Sequence, residues 1–254
     1  MPRALRHFLS GHVWHITHRC HDRKFYLEQA LYRKLWLDWL YEAKIRYNIP
    51  ILNFTVTSNH IHLLVSSPKD MESIPRAIQL VAGRTAQVYN KNHHRSGAFW
   101  EKRYAATAVE SGEHLARCML YIDFNMVRAK VVNHPKEWKH CGYHEIINPK
   151  SRNQLLDRKK LAKKLDINEE VLTRQYERWI KEGLDKGNLT RDAVWSSNIA
   201  AGSIEYMEKI KRRLQKIKTR GPRLLSGRNQ AVWDESAEYG IHMDTNKLEW
   251  EIGL

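Results

Sequence analysis

The chain reads as an α+β protein: an antiparallel sheet with helices packed on one face, followed by an α-helical C-terminal extension. Three observations carry that reading. Residues 51–57 alternate, with Leu52, Phe54 and Val56 on one side and Asn53, Thr55 and Thr57 on the other, the period of a strand. Residues 112–129 place Leu115, Met119, Ile122 and Met126 at helical spacing. Beyond Pro149 the strand-like segments stop, and amphipathic helices in a basic matrix take over.

The elements follow in order. Residues 12–19 (HVWHITHR) mix β-branched and aromatic side chains and predict a first strand. Residues 25–47 carry Leu27, Leu31, Leu35 and Leu37 among charges and predict a helix. The alternating strand 51–57 reaches a tight turn at Ser58-Asn59, and residues 60–66 (HIHLLVS) return as the second arm of a hairpin. Asp70 is placed to cap a helix bearing Met71, Ile74, Ile78, Val81 and Val88. Residues 90–96 form a basic loop, 99–109 a further strand, and 112–129 a helix. After Pro149, Leu172, Tyr176, Trp179 and Ile180 make one amphipathic set, and Ile204, Met207 and Ile210 begin another. Residues 209–223 hold eight basic side chains and no acid, whereas 231–254 hold six acids and one lysine. The expected division is a domain over 1–148, a basic helical extension over 149–225, and an acidic tail over 226–254. The basic stretch is a candidate contact for a polyanion, one that the tail could cover.

With 254 residues and 42% hydrophobic content, the chain has room for one large domain or one domain with an appendage. Its net charge of +15 points to a polyanionic partner, nucleic acid before an acidic membrane surface. No run approaches the roughly 20 apolar residues of a membrane span, and the first residues hold no apolar signal core, so a cytoplasmic protein is expected. Cys20, Cys118 and Cys141 form no CxxC pair, which argues against a disulfide framework and a thiolate zinc site.

Two constellations carry chemistry. His60 and His62 sit two apart on a strand, so both imidazoles face one side and can hold a divalent ion. On the helix, His114, Arg117, Tyr121, Asn125 and Arg128 recur every three or four residues as a polar stripe. Tyr121 is a nucleophile, and Arg117 and Arg128 can flank a phosphate, whose geometry suits guanidinium. Docked together, the two faces bring a phenol, two imidazoles and an amide oxygen to one point, a kit for cutting a phosphodiester through a covalent tyrosine link. Oxygen and nitrogen ligands without thiolate favour Mg²⁺ or Mn²⁺. Backbone contacts to DNA are expected from Arg19, Arg84, Arg95, Lys102, Arg103, Arg117 and Arg128, with Trp100 and Tyr104 stacking on unpaired bases.

The strings TSNHIHLLV (57–65), RSGAFWEKRYAA (95–106) and YIDFNMVRAKVV (121–132), in this order, resemble the REP-associated tyrosine transposases, a branch of the HUH endonucleases. His15-Ile16-Thr17 and Arg19 match the opening segment of that family, and Gly183-Leu184 and Ala201-Gly202-Ser203 the extension of its longer members. The resemblance implies a ferredoxin-like arrangement, Tyr121 as the nucleophile, and His60, His62 and Asn125 as the metal site. It also implies single-stranded hairpin DNA as substrate and a monomer or homodimer as the acting unit. Ser58 and Met126 stand where members often have proline, and Cys20 where they have glycine. Met126 in place of proline predicts a helix that runs straight past Asn125. The competing reading is a catalytically inactive DNA-binding or regulatory protein on the same fold; it needs no nucleophile, whereas this chain has the whole set.

Overall fold

The computed structural model describes residues 8–149, 152–187, 192 and 194–220. The predicted tail, 226–254, and the last residues of the basic stretch lie outside the described residues. Element order is β1 (Val13–Arg19), α1 (Ala30–Tyr47), β2 (Ile51–Val56), β3 (His60–Ser66), α2 (Ser73–Asn92), β4 (Ala105–Val109), α3 (Glu113–Asp123), α4 (Asn125–Arg128) and α5 (Tyr143–Ile147). The extension adds α6 (Arg158–Leu165), α7 (Glu169–Asp185), α8 (Val194–Ser197), β5 (Ala200–Ala201) and α9 (Ile204–Arg220).

The strands lie in the order β2-β3-β1-β4-β5. Each of the first four is antiparallel to its neighbours, and they are connected β-α-β-β-α-β, the ferredoxin-like arrangement that the family resemblance implied. β5 is an addition: two residues from the extension pair parallel to β4, Ala108 with Ala200 and Val109 with Ala201, making the sheet mixed. The β2–β3 turn is the predicted one. Thr57 accepts the His60 amide on its Oγ1 (3.0 Å), and its own amide bonds the His60 carbonyl (2.9 Å).

Register sets the two faces. Thr17 pairs with His62 and with Ala105, and His62 with Thr55, so these side chains share one face. Ile16, Ile61, Leu63, Phe54 and Val56 share the other and are buried. On this second face His18 stacks on Trp100 (4.2 Å between ring centroids), and Trp100 Nε1 donates to the Ala82 carbonyl of α2. The predicted helical layer is thus α1 with α2. The helices α3 and α4 lie over the opposite, histidine-bearing face, so the sheet is covered on both sides.

Several expected details change. The first helix starts at Ala30 rather than 25, and its core residues are Tyr32, Trp36, Leu40 and Ala43, whereas Leu31 is 61% exposed. The strand expected over 99–109 is confined to 105–109, with Trp100 making one isolated bridge to Cys20. β2 is buried on both faces, not one. The helix expected to run straight through 112–129 breaks at Phe124 (φ −76°, ψ 2°), even without a proline.

The break coincides with a close approach from the extension. A Cβ on Gly183 of α7 would lie 2.6 Å from the Phe124 ring, so only glycine lets α7 pack there. Beside it, the fully buried Asp123 accepts from Asn53 Nδ2 (2.9 Å) and from the Tyr176 hydroxyl of α7, with Thr55 Oγ1 at 3.5 Å. Burial, outweighing the Asn53 and Thr55 hydrogen bonds, pushes its carboxyl up to about 8. These contacts are why the polar side of β2 is buried: Asn53 and Thr55 serve an acid on α3, not solvent. Cys20, Cys118 and Cys141 are free and buried, and burial raises each thiol, Cys20 to about 12.

Candidate active site

A cleft of about 560 Å³ opens at the Arg19 end of β1. Thr17 and Arg19 (β1), His60 and His62 (β3), Tyr121 (α3), and Asn125 and Arg128 (α4) line it, with Lys102 and Arg103 from the segment before β4. The predicted convergence of phenol, imidazoles and amide is therefore present within one chain. The ring of Tyr121, 8% exposed, stands edge-on to that of His62 at 5.7 Å and to that of His15 at 6.1 Å. Arg128 lies over the Tyr121 ring (4.3 Å to its centroid) and donates to the Tyr121 carbonyl at 2.6 Å. The guanidinium thereby fixes the phenol by a cation–π contact and a backbone bond at once.

The histidines are held in defined states. His62 is 3% exposed, and burial first, then the nearby His60, His15, Arg128 and Arg19, keep it well below its ordinary pKa. His15, 1% exposed, is lowered to about 4 by burial, partly offset by its bond to the Trp195 carbonyl. Both rings are neutral at neutral pH. His15 Nδ1 lies 2.6 Å from the Trp195 carbonyl oxygen and its Nε2 2.8 Å from His62 Nδ1. His62 Nε2 in turn faces the Asn125 amide nitrogen at 2.9 Å. His60 Nδ1 lies 2.7 Å from Asn59 Oδ1 and 2.9 Å from Thr57 Oγ1, which assigns its proton to Nδ1 and its lone pair to Nε2.

This donor set fits a divalent cation. Two imidazoles with Nε2 lone pairs and one amide, whose oxygen replaces its nitrogen on a half-turn about the Cγ bond, meet at one wall of the cleft. Among the described residues no group of three or more His, Cys, Asp or Glu is placed to hold a metal, so the third protein ligand would be the Asn125 amide.

The remaining predicted residues divide. Arg19, Lys102, Arg103 and Arg128 line the cleft. Arg84 packs over Trp39 of α1 (5.5 Å), away from it. Arg95 braces its own loop, donating to Asn90 Oδ1 (2.6 Å) and the Ala98 carbonyl (2.8 Å) and lying over Tyr26. Arg117 pairs with Glu113, and His114 with Glu110 at 3.7 Å, so the stripe expected on the helix reaches the cleft only from Tyr121 onward. Trp100 is packed against His18, and Tyr104 is 6% exposed beside Phe8, which places both in the packing between sheet and helices rather than open to bases. The residue that sequence reasoning left without a role is His15. Its place on the same strand face as Thr17, opposite the His-x-His strand, was the available signal.

A family model described as transposase IS200 like matches residues 9–125, a span that holds His15, His60, His62, Tyr121 and Asn125. Residues 9–125 are thus similar to the IS200-like transposases. A Haemophilus influenzae protein that bears the name of a REP-associated tyrosine transposase is 25% identical over 157 residues, 58% of this chain and 88% of that protein. The resemblance seen in the sequence motifs is thus borne out. Among solved structures, a REP-associated tyrosine transposase bound to a REP hairpin aligns with TM-score 0.47 and 18% identity, covering 59% of this chain and 87% of that one. A transposase structure from Deinococcus radiodurans aligns with TM-score 0.33 and 17% identity, covering 51% and 92%. Arg128 and the extension from α5 onward lie outside the family match. Among the described residues, no helix is long and apolar enough to cross a membrane.

Proposed function

We propose that the protein is a DNA strand transferase that cuts single-stranded DNA beside an imperfect hairpin through a 5′-phosphotyrosine link at Tyr121. The observation that carries this reading is the meeting of Tyr121, His60, His62 and Asn125 in one cleft whose rim bears Arg19, Lys102, Arg103 and Arg128. Tyr121 Oη attacks phosphorus in line. The phenol gives up its proton as the Tyr–O–P bond forms and the bond to the 3′ oxygen breaks, and that oxygen takes up one proton in turn and leaves as a 3′-hydroxyl. Phosphodiester energy is kept in the link, so the 3′-hydroxyl of another strand can attack the phosphorus and release Tyr121. His60, His62 and Asn125 would hold Mg²⁺ or Mn²⁺, which when bound supplies polarisation of a phosphate oxygen and offsets the added charge. Arg128 holds the phenol in place, and the cationic rim binds the phosphate backbone with an affinity that falls with salt. The hairpin preference rests on the family resemblance. All the groups come from one chain, so a monomer has a complete site.

The test is a denaturing gel of the protein with end-labelled hairpin oligonucleotides taken from the DNA flanking its gene, with Mn²⁺ or Mg²⁺. A covalent band that disappears in Tyr121→Phe and in EDTA is expected. Cleavage without an adduct, retained in Tyr121→Phe, would replace this reading with a hydrolytic nuclease. Salt-sensitive binding alone, across several flanking hairpins, would leave an inactive DNA-binding protein.

A further inference from the structure

The hydrogen bonds behind His62 have only one consistent direction. A carbonyl oxygen only accepts, so the 2.6 Å contact to the Trp195 carbonyl places the proton of His15 on Nδ1. A neutral imidazole has one N–H, so His15 Nε2 accepts, and the donor 2.8 Å away must be His62 Nδ1. His62 Nε2 is then left with its lone pair toward Asn125 and the cleft. The opposite tautomer of His62 would set two lone pairs against each other inside the protein. Among the described residues no carboxylate is bonded to either ring, so a charged ring at either position would be buried without one.

The origin of this constraint lies far along the chain. Trp195 belongs to α8, 180 residues from His15. The segment that follows it is tied to the sheet: Thr107 Oγ1 donates to the Asn198 carbonyl (2.7 Å), the Ala108 amide to the Ile199 carbonyl (2.9 Å), and β5 pairs with β4. The Trp195 ring also lies 6.3 Å from that of Tyr121. We propose that His15 is a positioning residue for His62, and that the helical extension is part of the catalytic site, because the Trp195 carbonyl sets through His15 the tautomer in which His62 turns its Nε2 lone pair to the cleft. The tautomer follows from the geometry alone; its consequence for metal binding rests on the function proposed above. An isolated 1–148 segment would lack the carbonyl, leaving both imidazoles free to exchange tautomers. A ligating imidazole whose other nitrogen is fixed by a hydrogen bond loses roughly 10–100-fold in metal affinity when that bond is removed.

The first measurement is long-range ¹H–¹⁵N NMR of the ring nitrogens in the full, metal-free chain at neutral pH, with assignments from His15→Phe and His62→Ala. His62 protonated on Nδ1 and bare on Nε2 is expected. Protonation on Nε2, or on both nitrogens, overturns the proposal whatever His62 does in catalysis. The second measurement is Mn²⁺ affinity by titration calorimetry. His15→Phe keeps the ring volume and removes both hydrogen bonds, so a roughly 10–100-fold loss is expected. His15→Gln, whose amide can bridge the carbonyl and His62 Nδ1, should restore much of it. Wild-type affinity in His15→Phe, with binding abolished in His62→Ala, overturns the positioning role. Equal binding by wild type and His62→Ala instead refutes the metal reading, and the tautomer spectrum still decides the relay.

Discussion

His15, His18 and His62 lie almost wholly inside the protein, and that sets a pH dependence which can be worked out by sign. Burial lowers His15 and His18 to about 4 and holds His62 well below the ordinary value of 6.5. Between pH 6.5 and about 4 the unfolded chain therefore carries protons that the folded protein does not. The stability these groups contribute is complete above 6.5 and is lost as pH falls through that window. Asp123 acts in the opposite sense. Its folded value of about 8 lies above the unfolded one near 4, so its contribution is complete below about 4 and is lost as pH rises toward 8. On the acid side the three histidines outweigh one acid; between pH 6.5 and 8, below the range in which the three buried thiols titrate, Asp123 sets the fall. The thermal midpoint in EDTA should therefore peak near pH 6.5 and fall on both sides. Asp123→Asn should flatten the alkaline limb and keep the acid one. A midpoint that holds steady from pH 7 to 4.5 would contradict the buried neutral histidines. His60, His62, Tyr121 and Asn125 could be picked out of the sequence because each belongs to a short periodic motif. His15 offered only its strand face as a signal, since the partners that give it a role lie 47 and 180 residues away.

At the level of elements, α3 is clamped between the sheet and the extension. The Tyr176 hydroxyl of α7 donates to Asp123, the last residue of α3, and Gly183 of α7 lies against Phe124, the turn joining α3 to α4. Tyr121 and Asn125 flank that same turn. Tyr176→Phe removes one donor from a buried carboxyl and should lower stability by about 1–3 kcal/mol, read by urea denaturation at pH 7. Tyr176→Phe as stable as wild type would mean that Asp123 does not need α7. The hairpin and the core stripe of α3 were legible because one period ran through each: alternation in β2, and Leu115, Met119 and Ile122 in α3. The two-residue β5 is too short to show a period, so the mixed sheet was hidden. The burial of Asn53 and Thr55 was hidden for another reason: a buried polar side chain with a partner and an exposed one look alike in sequence. In α1 the leucine pattern misled because aromatic residues, Tyr32 and Trp36, fill the interface while Leu31 faces solvent.

Across the described residues, basic side chains gather near both ends of β1. Arg19 lies at the cleft, and His12 just before the other end. There Arg213 of α9 donates to His12 Nε2 (3.0 Å), and Lys164 of α6 reaches the Gly11 carbonyl (2.6 Å). Burial, then Arg213, Lys164 and Lys209, hold His12 below its ordinary pKa, and Lys160 and Lys163 add to the burial that depresses Lys164. The basic stretch seen in the sequence thus joins α6 in a cationic surface at the end of the sheet away from the cleft. A strand or stem too long for the cleft alone would reach phosphates onto that surface, whereas a short oligonucleotide would not. Replacing the exposed Lys160, Lys163 and Lys209 together by Gln spares the two bonds that hold Arg213 and Lys164 in place. Affinity for long single strands should fall, and the slope of log affinity against log salt should flatten by roughly 0.7 for each phosphate that is no longer neutralised. Affinity for an oligonucleotide that fills only the cleft should stay at the wild-type value, as should the yield of covalent adduct per bound complex. Equal salt slopes for the triple variant and wild type on long strands would show that the far surface carries no DNA. A loss of adduct at saturating DNA would show instead that the extension's charge acts on the cleft itself.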